Sequence, residues 1–515
     1  MPRSFQPIRR RRLLTQKDII LMRLRSQHRR VGLTAGLLAL GLASALTPSA
    51  SAQTPTIFQN FTGTTFHQMG DGVPPDTMGA MGINNQFGEF INGSFANFDT
   101  SAGSLVSRVT DQQFWQSAGV SVSGLSDPRL LFDTSSQRWF ATEITTASTN
   151  AFLVAVSNSA DLAQGFKGYT FQANPSTGSQ GLFADYDMLG VNGDGVYLAA
   201  NNFTNPTPTG SDNSSSILSL SKADLISENA APASHLFYAI DPNSTGYLPH
   251  PVTDLDTPQA SGKEYFLSAY TQNAAALSSL TGSGSNPGGQ VLSASGGNVV
   301  IASNPEPGNA SQAGSAGVIN TDDSRFGSAV IKRNGFLWSV QEAQQNGHVA
   351  LHWEQTDPTS GKVVHEGFIG DSAHDYYYGS IAVNAANAIV IGYTRSGPTE
   401  DPSSYASVGQ LNATGVTFNS PLLLKLSTTP YNGFDGSPYR WGDYSNTVVD
   451  PTDSSKFWTV QEFSASDGTY ATQITGIEVS AAPEPSQLAG LGFTAFGVLG
   501  LILRARRRKA AAPSA

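Results

Sequence analysis

The feature that most constrains this chain is a unit of 51 to 69 residues that recurs seven times along it. Each copy starts at or near an aspartate, runs on as a short apolar stretch, breaks at a polar turn and resumes as an aromatic-rich stretch. The starts fall at Asp76, Asp127, Asp185, Asp254, Asp323, Asp375 and Asp443. In the second copy Asp127-Pro128-Arg129 leads through Asp133-Thr134-Ser135-Ser136 to Arg138-Trp139-Phe140, and in the last Asp443-Tyr444 leads through Asp450-Pro451-Thr452-Asp453 to Phe457-Trp458. The copy at Asp254 is the weakest, and the glycine-rich stretch 281–297 after it reads as a flexible insertion between blades. Short apolar runs bounded by turn residues read as strands, and a period of this length marks a repeat architecture. One unit suits four antiparallel strands, and such sheets set around an axis form a β-propeller. The expectation is an all-β propeller of seven four-stranded blades over residues 53–480, with six or eight as the neighbouring alternatives. Aspartates starting the innermost strands would put seven acids near the axis. Residues 55–64 and 470–479 are placed to pair and close the ring. A β-sandwich would lack the long module.

The two ends differ from the body. Residues 1–52 read as a signal peptide: arginines, then an apolar core over 31–46, then Ala50-Ser51-Ala52 as the cleavage site. Arg9 to Arg12 form a second basic cluster that a signal does not need, so Met22 is an alternative start. At the other end a linker, 481–487, contains Pro483-Glu484-Pro485. An uncharged stretch, 488–503, follows and fits a short membrane helix. The basic segment 504–515 closes the chain, with Arg504, Arg506, Arg507, Arg508 and Lys509 holding it on the cytoplasmic side.

This tripartite tail resembles the PEP-CTERM sorting signal of Gram-negative bacteria. The resemblance implies an exosortase-type processing protease as partner, passage through the inner membrane with transient anchoring there, and a final place at the cell surface or outside the cell. Such systems accompany exopolysaccharide production, so extracellular polysaccharide or envelope proteins become the expected partners. The same tail type also carries a name drawn from ice-binding proteins, but a flat array of regularly spaced threonines is not visible here. The phrases Pro75-Asp76-Thr77-Met78-Gly79-Ala80, Ser126-Asp127-Pro128-Arg129 and Arg440-Trp441-Gly442-Asp443-Tyr444-Ser445 resemble those of secreted bacterial propeller proteins of unassigned function. That likeness supports a fold and implies no activity.

Without its ends the body holds thirty-seven acidic and fourteen basic residues, a net charge near −23 against −10 for the whole chain. Such a surface repels phosphate backbones and argues against nucleic acid. Divalent cations suit it better. Asp185, Asp187 and Asp194 offer hard oxygen ligands for structural calcium, although Asn192-Gly193-Asp194-Gly195 is equally explained as a hairpin turn. The chain has no cysteine, so the body must be held by its own core.

Catalytic candidates follow from a comparison with sialidase-like propellers, which clamp a carboxylate with three arginines and use a Tyr–Glu pair. Arg129, Arg325 and Arg440 all sit beside blade-start aspartates, Tyr376 lies at a blade start, and Glu342 ends a second strand. The same arginines are equally suited to bridging blades, and the sialidase S-x-D-x-G-x-T-W turn is absent. The sequence therefore reads as a binding or structural module, with a glycoside hydrolase as the alternative.

Overall fold

The computed structural model describes residues 54–68, 72–146, 150–173, 182–204, 214–256, 262–315, 317–433 and 436–479. The signal segment, the Pro483-Glu484-Pro485 linker, the apolar run and the basic tail lie outside the described residues. No helix among those described is long and apolar enough to cross a membrane.

The strands form seven sheets, antiparallel apart from one two-residue strand, arranged as the blades of a propeller. The first blade runs through Met78–Met81, Gln86–Ile91, Ser94–Asp99 and Ser104–Val109, and the second through Leu125–Asp133, Arg138–Thr145, Ala151–Ser157 and Phe166–Gln172. The third comprises Leu182–Val191, Gly195–Thr204, Ser214–Ser221 and Ser234–Ile240. Blades four to six begin at Tyr247–Pro251, Ile331–Arg333 and Asp375–Val383. The seventh takes three strands from the end of the chain, Asn446–Val449, Lys456–Ser464 and Tyr470–Val479, and its fourth from the beginning, Pro55–Thr65. That pairing is antiparallel, from Pro55 opposite Val479 to Thr65 opposite Ala471. The ring is closed by hydrogen bonds between its two ends, as the sequence predicts.

Local chemistry sets the blades. Asn334-Gly335 and Asn346-Gly347 both carry positive φ at each residue, which is what a two-residue hairpin turn requires. They bracket Phe336–Gln345, the second strand of blade five. Trp139, Trp338 and Trp458 occupy corresponding places in the second strands of three blades and are fully enclosed. Truncating such a side chain costs about 3–5 kcal/mol. Between blades the sheet faces interlock: Phe140, Ile144 and Val154 of the second pack on Leu189, Val196 and Leu198 of the third. A helix, Asp111–Ser117, joins blades one and two. Its Thr110–Gln113 capping box satisfies the first turn, and buried Trp115 donates its indole N–H to Glu143.

Two expectations are corrected. Asp254 does not start a blade: the fourth begins seven residues earlier, at Tyr247. Asp254 lies in a two-residue strand that runs parallel to Ile331–Arg333, and it accepts Lys332 Nζ at 2.8 Å. The glycine-rich stretch 281–297, read as a flexible insertion between blades, contains Val291–Ser293, which pairs with Ala274–Thr281 as an outer strand of blade four. Its small residues let Ser283 and Gly284 bond Asp194.

Candidate functional site

The innermost strands run in one direction, so their starts meet at one end of the axis. Four of the seven blade-start aspartates meet there: Asp76, Asp127, Asp185 and Asp443 line a recess of about 340 Å³. We call this end the mouth. The other three do not join them. Asp254 lies at the opposite end, Asp323 lines a neighbouring cleft, and Asp375 is held by the backbone N–H groups of Ser311 and Val349.

A chain of hydrogen bonds ties the mouth together. Asn92 donates to Asp76 Oδ2 at 2.7 Å, and its own carbonyl oxygen accepts the Asp127 N–H at 3.0 Å. Asp127 Oδ2 accepts the backbone N–H of Tyr186 at 2.8 Å. The Tyr186 hydroxyl donates to the Asp443 carbonyl at 2.7 Å, and Arg440 reaches the Asp443 carboxylate at 2.5 Å. Blades one, two, three and seven are thereby linked. The backbone is strained at the same place: Asp76, Asp127, Tyr186, Leu248 and Tyr378 all hold φ between 49° and 62° at the entry to an innermost strand. A non-glycine residue there costs about 1 kcal/mol. Bulges at Ser126–Arg129, Asp185–Met188, Tyr247–His250 and Tyr377–Ser380 accompany four of these positions.

Burial and crowding raise the acids. Asp76 is held well above the usual carboxylate range by burial and then by repulsion from Asp443 and Asp127. Asp185 is pushed up to about 8 by burial, then by Asp127 and Asp443. One oxygen of Asp76, Oδ1, is enclosed with no hydrogen-bond partner.

The three arginines converge on this end. Arg129 is fully buried, donating from Nε to the Asp187 carbonyl at 2.8 Å and from Nη1 to the Gly327 carbonyl at 2.9 Å. Its guanidinium lies 3.3 Å from the centre of the Tyr444 ring and 5.6 Å from that of Tyr186. Arg325 stands 5.8 Å from the same Tyr186 ring and is paired with Asp323. Arg440 is paired with Asp443. Each is thus engaged in place, and Arg129 acts as a bridge between blades.

The other candidates fall elsewhere. Tyr376 donates its hydroxyl to Asp371 and packs its ring near Tyr393, partners that do not line the mouth. Glu342 is buried, accepts the Gly379 N–H at 3.1 Å and is pushed up to about 8 by burial. The proposed calcium ligands are separated: Asp185 is at the mouth, Asp187 is buried against the Thr142 hydroxyl, and Asp194 caps the distant 281–289 loop. Their proximity in sequence is undone because Gly195 turns the chain back after a full strand. Among the described residues no three His, Asp or Glu side chains are grouped to hold a metal. Tyr186, Asp76 and Asp443 were not singled out as site residues, although the blade-start pattern contains all three.

Below Arg129 the axis changes character. A void of about 30 Å³, bounded by Met78, Leu130 and His250, leads to a second recess of about 460 Å³ at the opposite end. Met81, Leu131, Phe132, Ile331 and Val448 line that recess.

No protein-family profile matches the sequence, and no curated protein does. Solved structures are similar to this chain at TM-scores below 0.5. A protein of unknown function from Dyadobacter fermentans is 9% identical, with 83% of this chain and 99% of that one covered and a TM-score of 0.41. The extracellular domains of Drosophila Semaphorin 1b are 8% identical over 83% and 88%, at a TM-score of 0.38. A Trypanosoma rangeli sialidase in complex with the inhibitor DANA is 10% identical over 69% and 55%, at 0.31. These likenesses concern the fold alone.

Proposed function

We propose that this chain is an exported, envelope- or matrix-associated propeller that binds a partner on its mouth face, extracellular polysaccharide or an envelope protein, and is sorted by its PEP-CTERM tail through an exosortase-type protease. The observation that carries the reading is the polarity of the ring. Val449 at the apolar recess pairs with Phe457, which pairs with Ile477, which pairs with Ile57. Pro55 and Val479, which pair with one another, therefore lie on the level of the apolar recess, and the acidic, strained mouth is on the opposite face. Its arginines are already neutralised or bonded to carbonyls, which suits recognition better than a carboxylate clamp.

Two experiments test this. The exported protein, applied to a glycan array with and without calcium, is expected to bind without releasing sugar. Replacing Pro483, Glu484 and Pro485 with alanine is expected to leave an unprocessed form in the inner membrane; unchanged processing contradicts the sorting part.

One observation favours a glycoside hydrolase instead. A carboxylic acid kept neutral up to about pH 8, as Asp185 is, has the protonation state of a general acid. Released sugar on the array would select that reading.

A further inference from the structure

Beside the mouth, on the same face, a cleft of about 490 Å³ opens between blades four and five. It is bordered by Tyr247, Tyr270, Asn304, Glu306, Asp323 and Arg325. We propose that this cleft binds a neutral, hydroxyl-rich oligosaccharide, with Tyr247 and Tyr270 as its stacking surfaces and Asn304 as its buried acceptor. The inference rests on the binding-module reading above and assigns it a site and a ligand class.

Asn304 is 2% exposed, and its amide nitrogen is committed to the Glu342 carbonyl at 3.1 Å. Its carbonyl oxygen is enclosed without a partner. An unpaired buried acceptor costs about 1–3 kcal/mol, a cost removed by a ligand that brings an O–H or N–H donor. The aromatic components are set differently. Tyr247 is 41% exposed, open for contact at the first residue of blade four. Tyr270 is fixed from behind by Gly296 and Gly297: a Cβ at either would come within 2.8 and 2.7 Å of its ring. A fixed aromatic ring offers an apolar face at little cost in rotamer freedom, which suits the C–H face of a sugar.

Charge selects the ligand class. Arg325 is paired with Asp323, whose Oδ2 accepts its Nε at 2.6 Å. Glu306 accepts from Ser324 N and Oγ at 3.0 and 2.8 Å. The lining is net negative by one charge, so it disfavours uronates and other acidic sugars. A hydroxyl supplies the donor that the Asn304 acceptor lacks without adding negative charge. The volume is within the usual range for a small-molecule site. The strand edge beside it is closed, because Ala274 and Ala275 are paired with Val300 and Val299, so a peptide could not add there as a strand.

The test is isothermal titration calorimetry of the exported protein with cellohexaose, maltohexaose, N-acetylated chitohexaose and hexagalacturonate. At least one neutral hexasaccharide is expected to bind saturably, and hexagalacturonate is not. Tyr247→Ala, at an exposed position, is expected to weaken that binding tenfold or more. Tyr238→Ala, at an exposed position on the fourth strand of blade three, is expected to change it less than twofold. Binding that survives Tyr247→Ala and is lost with Asp185→Asn overturns the cleft while leaving the binding module standing. Preference for the uronate overturns the ligand class, and no binding to any of the four overturns the proposal.

Discussion

The two ends of the propeller axis are built by the same seven strands, yet one is an acidic mouth and the other an apolar recess. The cause is in the order of residues within each innermost strand. Asp76 leads to Met81, Asp127 to Leu131-Phe132, and Asp443 to Val448-Val449. A stretch of six or seven residues that begins with an aspartate and ends apolar, repeated in these three blades, sets one end of the axis acidic and the other apolar. Arg129 marks the boundary between the halves. At the mouth carboxylates tolerate one another because burial keeps some protonated and hydrogen bonds hold the rest. At the recess the polar residues, such as Arg333 and Asp450, share the lining with Met81, Leu131, Phe132, Ile331 and Val448, so a carboxylate placed among those apolar side chains lacks the network of the mouth.

Perturbing that boundary is expected to give the largest effect. Arg129→Met removes two charge-assisted hydrogen bonds to backbone carbonyls and should lower the urea-unfolding free energy by about 4 kcal/mol. The loss should grow above neutral pH, where Asp127 and Asp187 lack their counter-charge. Next is Met81→Asp, which puts a carboxylate among the apolar side chains of the recess. It should cost about 3 kcal/mol at pH 8 and less at pH 4, where the acid is neutral. Asp76→Asn at the opposite end should do the reverse, raising stability at pH 8 by roughly 1 kcal/mol and changing it little at pH 4.

The smallest and most specific effect concerns Asp185. Its folded pKa is raised to about 8 from the ordinary aspartate value of 3.8, so the folded state binds the extra proton between those values. Its contribution is fully present below the unfolded value and is lost as pH rises through about 8. Stability should therefore decline from pH 4 to 8. Asp185→Asn should flatten part of that slope, read as the urea midpoint against pH. A slope unchanged by the substitution would show that the mouth acids are not the groups responsible.

Much of the architecture was legible because a propeller repeats its pattern. Turn pairs such as Asn334-Gly335, the recurrent second-strand tryptophans and the complementary end strands are local signals that carried into the fold. The fourth blade was misread because Tyr247 stands where other blades have an aspartate, and Asp254 lay near enough in sequence to take its place. The convergence of Arg129, Arg325 and Arg440 could be guessed from their place beside blade-start aspartates. Their being satisfied in place could not, since Arg129 bonds Gly327 across 198 positions. The cleft was invisible for the same reason. Residues 302–315 and 317–322 lie outside the named strands of blades four and five; they are positioned by contacts to distant chain, such as the Ile319–Tyr439 bridge and the Gln312–Tyr431 hydrogen bond at 2.8 Å.

The central claim is that this face recognises a glycan and does not cut it. The most direct measurement is mass spectrometry of a neutral hexasaccharide recovered after saturating the exported protein and incubating it at pH 5 and pH 7. The account predicts that all of it returns at its original mass. Shortened products at either pH, abolished by Asp185→Asn, would contradict the account and make the mouth an active site.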